Sequence, residues 1–491
     1  MSQTAANLEA RLAAILAPDR VLGDPQELAP YAIDGLPPFA VAKPASAEEA
    51  AEIVRFAAAE NLSIIPSGHR SKLAIGMPPA RYDIALDMTA LNQIAHYDPG
   101  DLTLSVDAGC TLLTIAAALA PQKQFLPLAA AFGPHATVGG TIASGVDSHL
   151  RQQFGTARDF LVGAEFIDGT GARCKSGGRV VKNVTGYDLH KLLIGSLGTL
   201  AVITRLNFRT FPSLSASDAG GTFIASFADA PSAVAFRQQI AASPFTPHTV
   251  EILSPGLARL FAAINPRNWE PPAEPLGAWF SVSSWHVVAF FQGTPDLCAR
   301  YVTALTALSQ SAHALLARCA PIGPPDVTCE FATEWRTLTA CVVSALDRLR
   351  HVSPAATIFK IAQLPARLPE LFAALGNAAE QAQLPHALFA RGLGITYFAL
   401  LPDESADRLD AAQAAAAQEK TIAQLTTASQ AIFSVCAAQS ANASILFAPT
   451  PLKRAINISG PACPDAPAMH RLKLAFDPQN IFSPSRMLHH R

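Results

Sequence analysis

Charged residues are scarce in this chain of 491 residues: they make up 15% of it, and 36 Lys and Arg nearly balance 38 Asp and Glu. A net charge of -2 gives no global field for a polyanion. No dense Lys/Arg cluster with interleaved aromatics occurs, so nucleic acid is set aside as a partner. The eight cysteines form no C-x-x-C pair, which excludes ferredoxin-type cluster ligation by this chain and fits small buried side chains in a reducing compartment. No run approaches the roughly 18 apolar residues that a bilayer span needs. Neither G-x-G-x-x-G at a strand–helix junction nor G-x-x-x-x-G-K-[ST] is present, which argues against a Rossmann or P-loop protein. H-x-H and H-E-x-x-H are missing too, and no metal site is expected. The N-terminus carries Glu9 and Arg11 inside its apolar pattern, so it reads as a short amphipathic helix rather than a secretory signal, and a cytoplasmic chain is expected.

What is present is a glycine- and hydroxyl-rich stretch over residues 133–212. It holds Thr137-Val138-Gly139-Gly140-Thr141-Ile142-Ala143-Ser144-Gly145, which reads as too rich in glycine for a packed helix interior. Gly139 and Gly140 lack β-carbons where a ligand or a backbone could approach, and Thr137, Thr141 and Ser144 offer hydroxyls. Phe160–Ile167 reads as a strand, Asp168–Gly171 as a hairpin turn, and Leu200–Phe208 as a further strand. Upstream, Ala40–Ala42 reads as a strand. Ser46 with Glu49 forms a capping box, Ala50, Ile53, Val54 and Ala57 repeat at helical spacing, and Ser63–Pro66 returns as a strand. This β-α-β unit ends in Pro66-Ser67-Gly68-His69-Arg70-Ser71-Lys72, a loop able to present backbone N–H groups and two cations to an anion. Strands follow at Ile84–Asp87 and Leu102–Val106, with a helix over Thr111–Leu119.

In order along the chain, a P-x-G loop at 66–72 precedes T-x-G-G-x-x-x-x-G at 137–145. G-x-x-R-D at 155–159, G-S-x-G-T-L-x-V-I-T at 195–204 and the closing FDPQNIFSPSRM at 476–487 complete the series. Together they resemble the vanillyl-alcohol oxidase (PCMH-type) FAD-binding flavoproteins. The K-N-V-x-G-Y-D element and Leu197, where catalytic relatives more often carry an acid, resemble the FAD-binding subunits of glycolate oxidases. The resemblance implies an α+β fold: a lead-in over 1–33, a two-subdomain PCMH-type FAD-binding domain over 34–213, an α+β cap domain over 214–470, and a tail over 471–491 returning to the FAD domain. It implies FAD as cofactor, with Gly68 to Lys72 at the pyrophosphate. Thr137, Gly139, Gly140, Ser144 and Gly145 would line the ribityl and isoalloxazine, with Thr156 and Asp159 also facing the cofactor. Gly198, Thr199 and Val202 would lie near its adenine end. The first loop departs from the family in keeping only Gly68, followed by His69 and Arg70. Arg70 could pair with the diphosphate, and His69 falls one position early for covalent flavin attachment.

The implied assembly has a catalytic flavin subunit, this flavin subunit and an iron–sulfur subunit, acting on a small 2-hydroxy acid, with any membrane association through partners. A base and carboxylate-binding arginines are what such an oxidation needs. The histidines of the second half are scattered, and Arg391, with Gly392 and Gly394, reads either as an ordinary strand-end arginine or as a carboxylate anchor. There, strands are expected at Trp285–Phe291, Thr357–Ala362 and Ala387–Phe398, and helices at Pro369–Gly376 and Asp403–Ser429. Three readings stay open: a flavin subunit of a glycolate oxidase-like complex, a stand-alone FAD-dependent 2-hydroxy-acid dehydrogenase, and a flavin-free scaffolding subunit.

Overall fold

A computed structural model describes residues 3–128, 133, 135–146, 148–179, 186–213, 219–263, 279–322, 345–346, 349, 353, 355–392, 394–402, 411–460 and 465–487. The chain divides into two compact units, one of residues 1–148, 155–213 and 462–491, the other of residues 149–154 and 214–461.

The first unit holds two principal sheets. In one, Ala40–Ala42, Ile84–Asp87 and Ile64–Ser67 lie parallel in that order, with Val21–Leu22 antiparallel at the edge. The helix Ala47–Ala59 starts where Ser46 accepts a hydrogen bond from the Glu49 N–H. Its Ala50, Ile53, Val54 and Ala57 are buried in one core with Ile64, Ile84 and Leu86, as helical spacing requires. The other sheet is antiparallel, in the order Ile94–Asp98, Thr103–Asp107, Val202–Arg209, Leu161–Ile167, Arg173–Gly177. Its last two strands turn at Asp168, whose Oδ1 accepts from the N–H groups of Thr170 and Ala172.

Two expectations are corrected. The glycine-rich run 138–144 is a helix, not a loop: Thr137 Oγ1 caps it by accepting from the Gly140 N–H, and Gly145, at φ 60°, ends it. A glycine in this helix serves close packing, because a β-carbon on Gly139 would stand 2.7 Å from Ala108 Cβ. The expected strand 387–398 is instead a hairpin, His386–Arg391 against Ile395–Leu400. Gly392 and Gly394, at φ 54° and 95°, make the turn that alternation alone did not reveal.

That hairpin belongs to the second unit, where the described residues form an eight-stranded sheet that is antiparallel throughout. Its order is Leu316–Ile322, Ala219–Phe227, Trp285–Gly293, Thr249–Leu253, His386–Arg391, Ile395–Leu400, Thr357–Ala362, Asn442–Phe447. The helices Ala230–Ala242, Pro295–Ser311, Leu368–Gln381 and Ala411–Ala438 accompany it. Residues 403–410 of the expected Asp403–Ser429 helix lie outside the described residues, as do Val181 to Thr185, Cys329, Cys341, Cys463, His351 and His489-His490. Among the described residues no helix is long and apolar enough to cross a membrane.

The C-terminal tail is built into the first unit. Ile481 O accepts from the Ile64 N–H and Ile64 O from the Ser483 N–H, so the tail extends the parallel sheet beside Ile64. A buried ammonium holds this turn: Lys473 Nζ donates to Asp477 Oδ2, Thr199 O and Phe482 O at 2.5–2.8 Å.

Candidate cofactor cleft

The first loop follows the strand Ile64–Ser67 and runs directly under the cap of the helix Val138–Ser144. A β-carbon on Gly68 would overlap the Thr137 side chain. Between these elements opens a cleft. Pro66, Ser67, Gly68, His69, Arg70, Ser71 and Lys72 line one side. Thr137, Gly139, Gly140 and Ser144 line another, and Leu197 and Gly198 close it. Of the two adjacent glycines, Gly140 has the freer position: a β-carbon there would meet only Thr137 Oγ1, at 3.1 Å.

The remaining expected contacts are placed elsewhere. Gly145 and Thr156 line a smaller cavity, and Gly145 packs on Gly195. Asp159 caps its own short helix by accepting from the Thr156 N–H at 2.7 Å and hydroxyl at 3.0 Å. Thr199 faces a second, largely apolar cleft beside the helix Ala466–Phe476, with Met469, Leu472 and Met487. Val202 is fully buried in its strand. The G-S-x-G-T-L segment thus divides by face: Leu197, Gly198 and Ala201 belong to the first cleft, Ser196, Thr199 and Leu200 to the second.

Charge in the first cleft is arranged unevenly. Arg70 takes φ 62°, a left-handed conformation that normally favours glycine. Its guanidinium carbon lies 4.5 Å from the Tyr31 ring centroid, and Nη1 is 3.5 Å from Asp87 Oδ2. Asp87 also accepts from the Tyr31 hydroxyl at 2.5 Å. Arg70 is therefore drawn toward protein partners rather than free to serve an incoming anion. Burial holds His69 below the usual imidazole range; Arg70 adds to this and Asp87 opposes it. The sequence reading missed Arg486. Its guanidinium is buried, Nη2 donates to Leu73 O and Ile75 O, and Nη1 has no hydrogen-bond partner although it is buried. The S-x-R-M ending of the tail motif was in view, but nothing in linear order placed it against residues 66–77.

The cleft residues fit FAD by their chemistry. Ile65, Met88, Ala108, Ala143, Leu197, Ala201 and Ile203 give apolar walls suited to a flat ring system. Ser67 Oγ and Arg486 Nη1 are buried polar atoms lacking partners, which a polar ligand in the cleft could satisfy.

Arg391, in the second unit, is paired across the sheet with Glu251: Nε donates to Oε1 at 2.7 Å, with side-chain exposures of 1% and 3%. Phe389 and Tyr397 flank its guanidinium. The protein's own carboxylate occupies the anchoring role proposed for a substrate. His149 lies buried and His248 half-buried in the same unit; burial pushes them down to about 3 and about 4. Among the described residues no group of three or more His, Cys, Asp or Glu could hold a metal ion.

The fold has solved counterparts. The structure superposes on p-cresol methylhydroxylase with a TM-score of 0.75 at 16% identity, covering 99% of this chain and 97% of that one. It matches alkyldihydroxyacetonephosphate synthase at 0.67 and 17%, covering 98% and 84%. Residues 38–177 match the FAD binding domain family. An FAD binding domain over residues 38–177 thus sits within a chain that shares the fold of p-cresol methylhydroxylase. It is 36% identical over 167 residues to the glycolate oxidase subunit GlcE of Escherichia coli K12, covering 34% of this chain and 47% of that one. It is 28% identical over 228 residues to the glycolate oxidase subunit GlcD of Bacillus subtilis, covering 45% and 48%. Against a D-2-hydroxyglutarate dehydrogenase of Xanthomonas citri it is 32% identical over 172 residues, covering 35% and 36%. The matched regions thus span less than half the length of these curated relatives.

Proposed function

We propose that this chain is an FAD-carrying subunit of a glycolate oxidase-like complex that oxidises glycolate or a related 2-hydroxy acid and passes electrons to an iron–sulfur partner. The observation that carries this reading is the meeting of the Gly68 loop with the Thr137 cap around one cleft, in a domain whose relatives include two glycolate oxidase subunits. FAD, when bound, supplies the two-electron redox chemistry, and the chain supplies position and electrostatics.

In this reading Pro66, Ser67, Gly68, His69, Arg70, Ser71 and Lys72 hold the diphosphate side, chiefly through backbone N–H groups. Thr137, Gly139, Gly140 and Ser144 bound the cofactor's flat portion, with Gly198 at its edge. Gly145, Thr156, Asp159, Thr199 and Val202 support this shell through packing and capping rather than by touching the ligand. Leu197 puts an apolar side chain in the cleft, so this position furnishes no acid or base. Arg391 is engaged by Glu251, which weakens the case for carboxylate binding by that residue. Both observations favour a partner subunit as the seat of substrate oxidation.

The test is turnover of glycolate and D-lactate with an artificial acceptor, by the purified chain alone and after co-expression with an iron–sulfur protein. The expected result is little activity alone and co-purification with the partner. Likeness to a D-2-hydroxyglutarate dehydrogenase supports a second reading, a stand-alone dehydrogenase. Robust turnover by the isolated chain would establish it instead.

A further inference from the structure

We propose that Arg486, from the C-terminal tail, is the cation that binds the cofactor's diphosphate in the first cleft, taking the place that the thinned glycine loop leaves to a side chain. This rests on the FAD reading above and adds a ligand-binding residue outside the 66–72 loop.

The geometry of the tail carries the argument. Ser483 and Ser485 both adopt positive φ, 43° and 67°, on either side of Pro484. Two left-handed non-glycine residues so close together are costly, and such strain persists where the surroundings fix it, commonly at ligand sites. Here the surroundings are hydrogen bonds: Ser483 N–H to Ile64 O, Ala80 N–H to Pro484 O, and Met77 N–H to Arg486 O. The same carbonyl closely approaches Gly76, at φ 104°, where an added β-carbon would stand 3.0 Å away. The tail is thereby clamped to the segment that follows the first loop, and Arg486 is among the residues that line the cleft.

Its hydrogen bonding is half complete. Nη2 donates to Leu73 O and Ile75 O, which fixes the plane of the group. Nη1 is buried without a partner. A buried guanidinium edge with no acceptor is expensive, and an anionic oxygen is what that edge is shaped to receive. Burial lowers the Arg486 pKa to about 10, with Asp34 and Tyr82 opposing, so the group stays cationic at neutral pH. Arg70, the cation the sequence suggested for this role, instead stacks on Tyr31 beside Asp87.

The experiment is an affinity measurement on apoprotein prepared by acid or heat release of flavin. FAD binding is followed by flavin fluorescence, and ADP, which has the diphosphate but no flavin, is used as a competitor. Arg486→Gln is expected to weaken FAD and ADP by a similar factor, about 10- to 100-fold, and to flatten the salt dependence of both. Arg486→Lys should retain part of the affinity. Unchanged FAD affinity in Arg486→Gln overturns the proposal, and so does a loss for FAD with ADP unaffected. If the Gln variant fails to fold, as judged by its melting curve, Arg486→Lys decides: salt-sensitive ADP binding within about tenfold of wild type supports the role, and salt-insensitive binding refutes it. Wild-type protein that binds neither FAD nor ADP sinks the functional reading itself, a result distinct from failure of the variants.

Discussion

Gly68 sits against Thr137 with no room for a β-carbon between them, so the first loop and the helix cap 69 positions later in sequence share one wall. Thr137 is at once the cap of the helix Val138–Ser144 and the surface on which the first loop rests. Gly68→Val therefore strikes both. The expected outcome is a stability loss of about 1–3 kcal/mol by urea unfolding, as for other overpacked sites, and a larger loss of FAD affinity. Gly140→Ala, whose new methyl meets only Thr137 Oγ1, should be milder in both measurements.

Lys473 and Asp477 form a buried pair that ties the tail turn to Thr199 and Phe482. Lys473→Met would leave Asp477 buried without its cation, with only the Ile481 and Phe482 N–H groups donating. A loss of about 3–5 kcal/mol is expected. FAD affinity should fall as well, because the same turn positions Arg486. Chemical denaturation and flavin titration on one preparation test both effects.

In the second unit, Glu251→Ala should cost about 3–5 kcal/mol by removing the carboxylate paired with the buried Arg391 guanidinium. The double change Glu251→Leu with Arg391→Met removes both charges and should recover most of that loss. Thermal unfolding of the three variants checks the coupling. Were Arg391 chiefly a substrate anchor, the Glu251 change would instead leave stability near wild type.

His149 and His248 bind protons less readily folded than unfolded, since burial dominates both shifts, with Arg391 adding to that of His149. The unfolded chain therefore holds more protons below the ordinary imidazole pKa of about 6.5, and folding stability rises with pH in that range. Their contribution is complete above pH 6.5 and is lost progressively toward about 3 and about 4. For His149 alone the loss by pH 4 is on the order of 3 kcal/mol. Denaturant midpoints measured from pH 7.5 to 4.5 should fall, and His149→Leu should flatten the slope.

Much of this was legible in linear order. The N-cap at Ser46, the strands Ala40–Ala42, Ile84–Asp87 and Thr357–Ala362, and the hairpin at Asp168 follow from local periodicity and turn chemistry, whereas the Glu49 carboxylate turns to the Ala45 N–H and Arg20 instead of closing a capping box. The glycine-rich helix did not, because Gly139 is explained by Ala108, a tertiary neighbour from another strand end. The hairpin at Gly392 was hidden within an apolar run that reads as one strand. Residues 66–72, 137, 139, 140, 144 and 198, which the family resemblance singled out, line one cleft; Arg486 was not singled out, because it lies on a tail that returns more than 400 positions later to the segment Leu73–Met77. Cross-strand pairing likewise governs Arg391, whose partner Glu251 lies 140 positions earlier.

The central claim is that the Gly68 and Thr137 elements together hold FAD. Titration of flavin-stripped protein with FAD, read by the absorption spectrum and fluorescence quenching, tests it most directly. The expected result is a yellow protein that takes up FAD at one site and releases it unmodified on acid or heat treatment. A correctly folded, colourless protein that ignores saturating FAD would contradict it.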